Sequence, residues 1–322
     1  MSSTRQVDVA IVGSVNVDLV ATVDHLPLPG ETVHALGFEQ FVGGKGGNQA
    51  VAAARLGRHV AFVGLVGEDA ESDSVRRSLA AEGVDLAHLG SAAGVATGRA
   101  IVLVGRDAEN SIVVVGGANA ALSPDHLQGA ASVLEQAAVM VSQLEIPVET
   151  VLAAARRAGG TFVLNPAPAQ ELSDDLLRLV DVLVVNETEY AVVLGRPLPE
   201  DLSEVEAHVA ERGLRCAVVV TLGGRGAALF RDGDVVRVPS PPVPVVDTTG
   251  AGDTFIGALA DALARGESAP EALRWAVHAA SLSVGALGAT TGMPTRDQVR
   301  ASIAGRPLDT APTTVEEVRR ST

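Results

Sequence analysis

Residues 248–255, Thr-Thr-Gly-Ala-Gly-Asp-Thr-Phe, place one carboxylate, Asp253, directly after three small residues, Gly250, Ala251 and Gly252. Small residues let the backbone turn tightly and approach a ligand. A helix starting here would leave its first N–H groups without internal partners, and with the helix dipole these favour an anion. Spacing alone leaves two readings of Asp253. It is an N-terminal carboxylate stabilised by the dipole, or a general base beside a developing phosphate charge.

A second glycine-rich stretch, Gly-Gly-Lys-Gly-Gly-Asn-Gln at 43–49, opens an alanine-rich segment running to Gly57. It is not a Walker A loop, because Lys45 is followed by Gly46 rather than by Ser or Thr. Its glycines allow close approach and Asn48 offers an amide to sugar hydroxyls; a plain glycine turn capping a helix over 48–56 remains the other reading. The dinucleotide fingerprint fails, since the segment after the first apolar run, Val-Gly-Ser-Val-Asn-Val-Asp, has one glycine where three are needed. That argues against a nicotinamide-dependent dehydrogenase. The seven histidines (25, 34, 59, 88, 126, 208, 278) show no HExxH spacing, and no G-x-S-x-G is present.

These motifs need a frame. Short β-branched runs at 7–12, 59–64, 138–143, 161–165, 182–186 and 216–221 alternate with helical segments at about 46–56, 69–82, 124–136, 148–158, 203–213, 252–265 and 270–286. Near-continuous apolar runs predict strands buried on both faces, and the alternation predicts a parallel sheet with helices on both sides. Residues 16–42 and 97–116 break the rhythm, the latter reading as a hairpin turning at Arg106–Asn110; together they predict a small antiparallel sheet outside the main body. Polar residues cluster where the strands end: Ser14, Asn16 and Asp18; Gln143 and Glu145; Asn165; Asn186 and Glu189; Thr221 and Gly223. In an open parallel sheet ligands bind beyond the carboxyl ends of the strands, so the set predicts one shared cleft.

The 322 residues suit one large domain, or one with an appendage. With 24 Lys and Arg against 39 Asp and Glu, the net charge of -15 repels phosphate backbones and anionic membranes. Aromatics at 2% offer no stacking platform for bases. No run reaches the roughly 18 apolar residues of a membrane span, and the N-terminus carries no cleavage-site pattern. Cys216 is the single cysteine and reads as a core thiol; a reducing cytoplasmic location is expected.

Eight ordered motifs carry a resemblance covering about residues 7–303: VGSVNVDLV, LPLPGETV, GGKGGNQAVAAARLG, GGANAALS, LNPAPA, NETE, TLGGRGAALF and VVDTTGAGDTFIGAL. The chain resembles the PfkB family of carbohydrate kinases, and within it the members that phosphorylate ribose. The resemblance implies an open, mostly parallel α/β sheet with helices on both faces: a core from 1–14, 43–96 and 118–305, a β-sheet lid from 15–42 and 97–117, and a peripheral tail at 306–322. It implies ATP-dependent phosphorylation of the 5-hydroxyl of D-ribose, and a homodimer formed through the lid. By matching position, Asp253 is the base, and the amides of Gly250, Ala251 and Gly252 are the anion hole. Asn16, Asp18, Gly44, Lys45, Asn48 and Glu145, with Asp253, are the sugar contacts. Asn186, Thr221, Leu222, Gly223, Gly224, Arg225, Gly226 and Gly252 are nucleotide contacts. Glu189 belongs to a magnesium site reached partly through water, and Asp247, Thr249, Ser283, Ala286, Gly288 and Gly292 to a potassium site. Gly292 departs from the family, which often has Ser there, so a hydroxyl ligand is missing. Val277 stands where a histidine can flank the adenine, and His278 would point elsewhere. The alternatives are a kinase for deoxyribose, fructose or a sugar phosphate, all compatible with Lys45, or a catalytically silent sugar-binding regulator. The intact Asp253 and glycine set argues against the silent reading, and the lid's aromatics, little beyond Phe38 and Phe41, argue against a nucleoside acceptor.

Overall fold

The computed structural model describes residues 7–106 and 110–306. In chain order the elements are β1 (Val9–Val12), β2 (Asn16–Val23), β3 (Ala35–Gly43), α1 (Lys45–Arg55), β4 (Val60–Gly67), α2 (Ala70–Ala81), β5 (Asp85–Ala92), β6 (Gly98–Val104) and β7 (Asn110–Val115). Then come α3 (Ala131–Gln136), β8 (Val139–Ser142), α4 (Val148–Ala155), β9 (Thr161–Leu164), α5 (Asp174–Leu177), β10 (Val182–Val185), α6 (Glu187–Leu194), α7 (Val205–Arg212) and β11 (Ala217–Thr221). The chain closes with β12 (Ala227–Arg231), β13 (Asp234–Val238), α8 (Ala251–Ala264), α9 (Ala269–Ser283) and α10 (Arg296–Ile303).

The main sheet has the order β13-β12-β11-β10-β9-β8-β1-β4-β5. From β11 to β5 all neighbours are parallel, while β12 and β13 form an antiparallel hairpin at one edge. The alternation along β1 shows why its sequence is apolar throughout. Val9 and Ile11 enter the core shared with α1, α2, α8, α9 and α10, whereas Ala10 and Val12 enter the opposite core under α3 to α7.

The second sheet has the order β3-β2-β6-β7. Its outer pairs are antiparallel as expected, but its central pair, β2 with β6, is parallel. The expectation of an antiparallel sheet is corrected on this point: the two irregular segments meet side by side after a long excursion through the core, which only a crossover can join in parallel. The turn expected within Arg106–Asn110 lies largely outside the described residues, as does the tail after Arg306.

Other differences have local causes. The segment expected as a helix over 124–136 begins as a 3-10 turn at Pro124–Ala130 before α3. The last long helix stops at Ser283 rather than 286, ahead of a turn containing Gly288 at φ 91°. β5, absent from the expectation, is an edge strand with Leu89 as its one buried residue, so it carries no apolar run. The β12–β13 hairpin turns on Asp232 and Gly233, both at positive φ, a sequence signal for such turns.

Candidate active site

Strand order reverses between β1 and β8: the chain leaves β1 for β4 and β5 on one side and returns to β8 on the other. Crevices form at such reversals beyond the carboxyl ends of the strands. Ser14, Asn16 and Asp18 follow β1 here, and Gln143 and Glu145 follow β8. The N-terminus of α1 is pressed onto this point. Its cap, Gly44, has φ 85°, and a Cβ there would lie 2.7 Å from the backbone of Val15 and Asn16. Glu145 Oε2 accepts from Ser14 Oγ at 2.5 Å and from the Lys45 N–H at 3.1 Å, so this carboxylate caps α1. Asn119 donates to the Val15 carbonyl (3.1 Å) and to Asn16 Oδ1 (2.7 Å), which leaves the Asn16 amide nitrogen as its free donor.

The first turn of α8 meets the first turn of α1. Gly250 caps α8 in the left-handed region at φ 76°. Asp253, buried in the first turn, accepts from Asn48 Nδ2 at 2.9 Å and from Gln49 Nε2 at 3.0 Å. Burial pushes the Asp253 carboxyl up, opposed by the Lys45 charge and these two amides. Burial pulls Lys45 down, but Asp253, Glu145 and Glu189 outweigh it and the ammonium is held above its ordinary range. Asp18 is pushed up to about 6, first by burial and then by Glu145 and Asp253. Three carboxylates, Asp253, Glu145 and Glu189, thus converge on Lys45, and Asp18 faces two of them. Two buried acceptors in this cluster, Asp18 Oδ1 and Asn48 Oδ1, have no donor within the described residues.

Among the first amides of α8, that of Ala251 donates to the Thr248 carbonyl at 3.2 Å, and is therefore not free for the anion hole in which it was expected. The Thr254 amide closes the helix on the Gly250 carbonyl, while those of Gly252 and Asp253 have no partner among the described residues. Beside them lies a polar cleft of ≈ 160 Å³ lined by Lys45, Asn165, Asn186, Glu189, Thr221, Gly252 and Asp253. It continues through Thr221 and Gly252 into an apolar cleft of ≈ 230 Å³.

Of the expected nucleotide contacts, Thr221, Gly223, Gly224, Gly226 and Gly252 line the apolar cleft and Asn186 the polar one. Leu222 is buried away from both linings, and Arg225 is exposed and pairs with Glu187 at 3.1 Å. Val277, expected beside the adenine, lines the apolar cleft too, while Val243, Val245, Phe255 and Val284 carry no expectation from the sequence. The apolar run around Val243–Val246 was its available signal. His278 turns away to Ser302, as expected.

Asn186 and Glu189 form a reciprocal capping box at the start of α6. Glu189 also accepts from Asn165 at 3.3 Å, and burial pushes its carboxyl up. Among the described residues no three His, Cys, Asp or Glu side chains are grouped to hold a metal. One carboxylate beside a phosphate cleft does suit Mg²⁺, which keeps waters and binds through substrate phosphates. Asp247 accepts from the Thr249 amide and hydroxyl and from the Gly288 amide at 2.8 Å, tying the loop before α8 to the turn after α9. Ser283 ends α9, and Ala286, Gly288 and Gly292 follow it. A Cβ at Gly292 would lie 2.0 Å from the Ser283 carbonyl, so this backbone has no room for the missing Ser.

Residues 6–296 match the model of the pfkB family carbohydrate kinases. The chain is 39% identical to the ribokinase of Haemophilus influenzae, over 89% of this chain and 95% of that one. It is also 39% identical to the ribokinase of Bacillus subtilis, over 91% and 98%. The structure of Arabidopsis thaliana ribokinase complexed with ribose and ATP superposes with a TM-score of 0.86 at 35% identity, covering 92% of this chain and 98% of that one.

Proposed function

The chain belongs to the pfkB family of carbohydrate kinases, and on that premise we propose that it transfers the γ-phosphoryl group of ATP to the 5-hydroxyl of D-ribose, giving D-ribose 5-phosphate. One observation carries the reading. Two buried acceptors without donors, Asp18 Oδ1 and Asn48 Oδ1, flank the buried carboxylate of Asp253 at the mouth of α8. A polyol supplies the hydroxyl donors these atoms need.

Asn16, Asp18, Gly44, Asn48 and Glu145 surround the sugar, with Lys45 balancing their charge. Asp253 takes the proton of the attacking hydroxyl. The negative charge developing on the phosphoryl oxygens falls at the free amides of Gly252 and Asp253 and near Lys45, where the helix dipole adds to them. The adenine lies in the apolar cleft over Val277 and Phe255, with the Gly223–Gly226 turn along its edge. Asn186 and Glu189 would hold Mg²⁺, which would supply charge neutralisation to the phosphates. Asp247 and Thr249, with Ser283, Ala286, Gly288 and Gly292, would hold K⁺, which would add positive charge near the start of α8. The four-stranded sheet is the lid and the dimer contact, and the enzyme works in the cytoplasm.

The test is ATP-coupled turnover on a panel of ribose, deoxyribose, fructose, fructose 1-phosphate and nucleosides, with and without potassium and magnesium. Ribose is expected to give the highest kcat/KM. A better rate on any other member overturns the specificity, and no turnover on any of them overturns the kinase.

A further inference from the structure

Asp253 is held by a chain of side chains that none of the roles above uses. Gln49 Nε2 donates to Asp253 Oδ1 at 3.0 Å, and Gln143 Nε2 donates to Gln49 Oε1 at 2.6 Å. Both glutamines are fully buried. The chain has only one possible direction. An ionised carboxylate only accepts, so Gln49 must turn its NH₂ to Asp253 and its carbonyl to Gln143, and Gln143 must answer with its own NH₂. Gln143 packs against Gly13, the residue after β1, where a Cβ would lie 2.2 Å from Gln143 Oε1 and leave the amide no room. That oxygen has no donor among the described residues, so the amide sits where it does at some cost.

We infer that Gln49 and Gln143 form a tether that fixes the plane of the Asp253 carboxylate and stabilises its negative charge, which makes both of them positioning residues for phosphoryl transfer. This rests on the proposed kinase reading for its consequence, but not for its geometry. The tether runs from the switch point of the sheet, through α1, to the first turn of α8. Asn48 holds the other carboxylate oxygen at 2.9 Å, so the group has no freedom to swing. A base must meet the hydroxyl proton in one geometry, and small misplacements there are costly in rate. Donated hydrogen bonds favour the charged form. The other charges facing Asp253 are Lys45 on α1, Glu145 after β8, Asp18 on β2 and Glu189 on α6. None of these is altered by changing a glutamine.

The test labels aspartate carboxyls with ¹³C and titrates the resonance that is missing from Asp253→Asn. Its midpoint is compared in the wild type, in Gln49→Leu and in the double variant Gln49→Leu/Gln143→Leu. The double variant removes both partners, so it strands no buried amide and guards against misfolding. The midpoint is expected to rise by about one pH unit in both variants. With ribose and ATP, kcat is expected to fall about 10- to 100-fold at little change in KM, with the acid limb of kcat moving up in step. An unmoved midpoint overturns the tether whatever the turnover. A moved midpoint with wild-type kcat and acid limb overturns its positioning role. If the wild type does not phosphorylate ribose, the kinase reading fails while the titration still decides the tether.

Discussion

Asn48 Nδ2 donates to Asp253 Oδ2 across 2.9 Å, and this bond joins the first turn of α1 to the first turn of α8. The two helices also touch where Gly257 faces α1: a Cβ there would lie 2.5 Å from Ala52 Cβ and 2.6 Å from the Gln49 carbonyl. The glycine-rich stretch at 43–49 and the one at 248–255 are therefore one packed unit, although 205 residues separate the bonded pair.

Replacing the base without changing its size separates chemistry from binding. Asp253→Asn is expected to lose about 10²–10⁴-fold in kcat while ribose binding stays measurable by calorimetry. Turnover near the wild-type value would remove Asp253 from the role of base.

Asp18 gives the sugar site a pH dependence. Its carboxyl is raised from 3.8 to about 6 in the folded chain without sugar. The folded state then binds this proton more readily than the unfolded chain, so this group's contribution to stability declines as pH rises from about 4 to about 6. Asp18→Asn is expected to raise the Tm at pH 8, with the difference fading toward pH 4. Sugar hydroxyls favour the charged carboxylate, so ribose affinity is full above about pH 6 and weakens below it, approaching tenfold per pH unit. Calorimetric titration between about pH 5 and pH 8 checks this, and a flat affinity contradicts it.

Further along α8, Asp261 is fully buried and binds three arginines: Arg58 at 2.9 Å, Arg296 at 3.1 Å, and Arg265. Removing the shared anion leaves three part-buried cations facing one another. Asp261→Ala is expected to cost about 3–5 kcal/mol in urea unfolding, with kcat per folded molecule near wild type. A loss below about 1 kcal/mol would show that the arginines find other partners.

The outer strand of the small sheet tests the dimer. Ile112, Val113, Val114 and Val115 on β7 are about half exposed or more, which is unusual for an unpaired apolar edge. Val114→Lys is expected to convert a dimer into a monomer in light scattering after gel filtration, and to abolish the concentration dependence of Tm. A wild type that is monomeric at micromolar concentration would overturn the dimer.

The central strands, the longer helices between them and the start of α8 were legible in the sequence, whereas α5 was not; strands buried on both faces read as unbroken apolar runs such as Val182–Val185. The edge strand β5 was not, since Asp85, His88, Gly90 and Ser91 interrupt any apolar run along it. α6 was overlooked although its Asn186–Glu189 capping box was visible, because the same two residues drew attention as a strand end. At the cleft, the side chains that the structure brings together, such as Lys45, Asn186, Glu189 and Asp253, are of types that stand out in the sequence. Gln49, Gln143 and Asn119 were not assigned, because buried amides act through their partners, and partners distant in sequence are invisible until the chain is folded. Of the three amides expected in the hole, those of Gly250 and Gly252 have no partner among the described residues, while the Ala251 N–H donates into a local turn that spacing does not specify.

β2 begins at Asn16, beside the core, and runs on into the four-stranded sheet, so Asn16 and Asp18 stand at the root of that sheet while Asn48 and Asp253 belong to the main body. On the proposed reading, a sugar gripped by both pairs would be a fastener between two separately built pieces. Recognition and closure would then be a single event, and a sugar lacking the hydroxyl facing Asp18 would be held by one piece only. It would sit in an open mouth, exchanging quickly, and fail as a substrate well before it failed as a ligand.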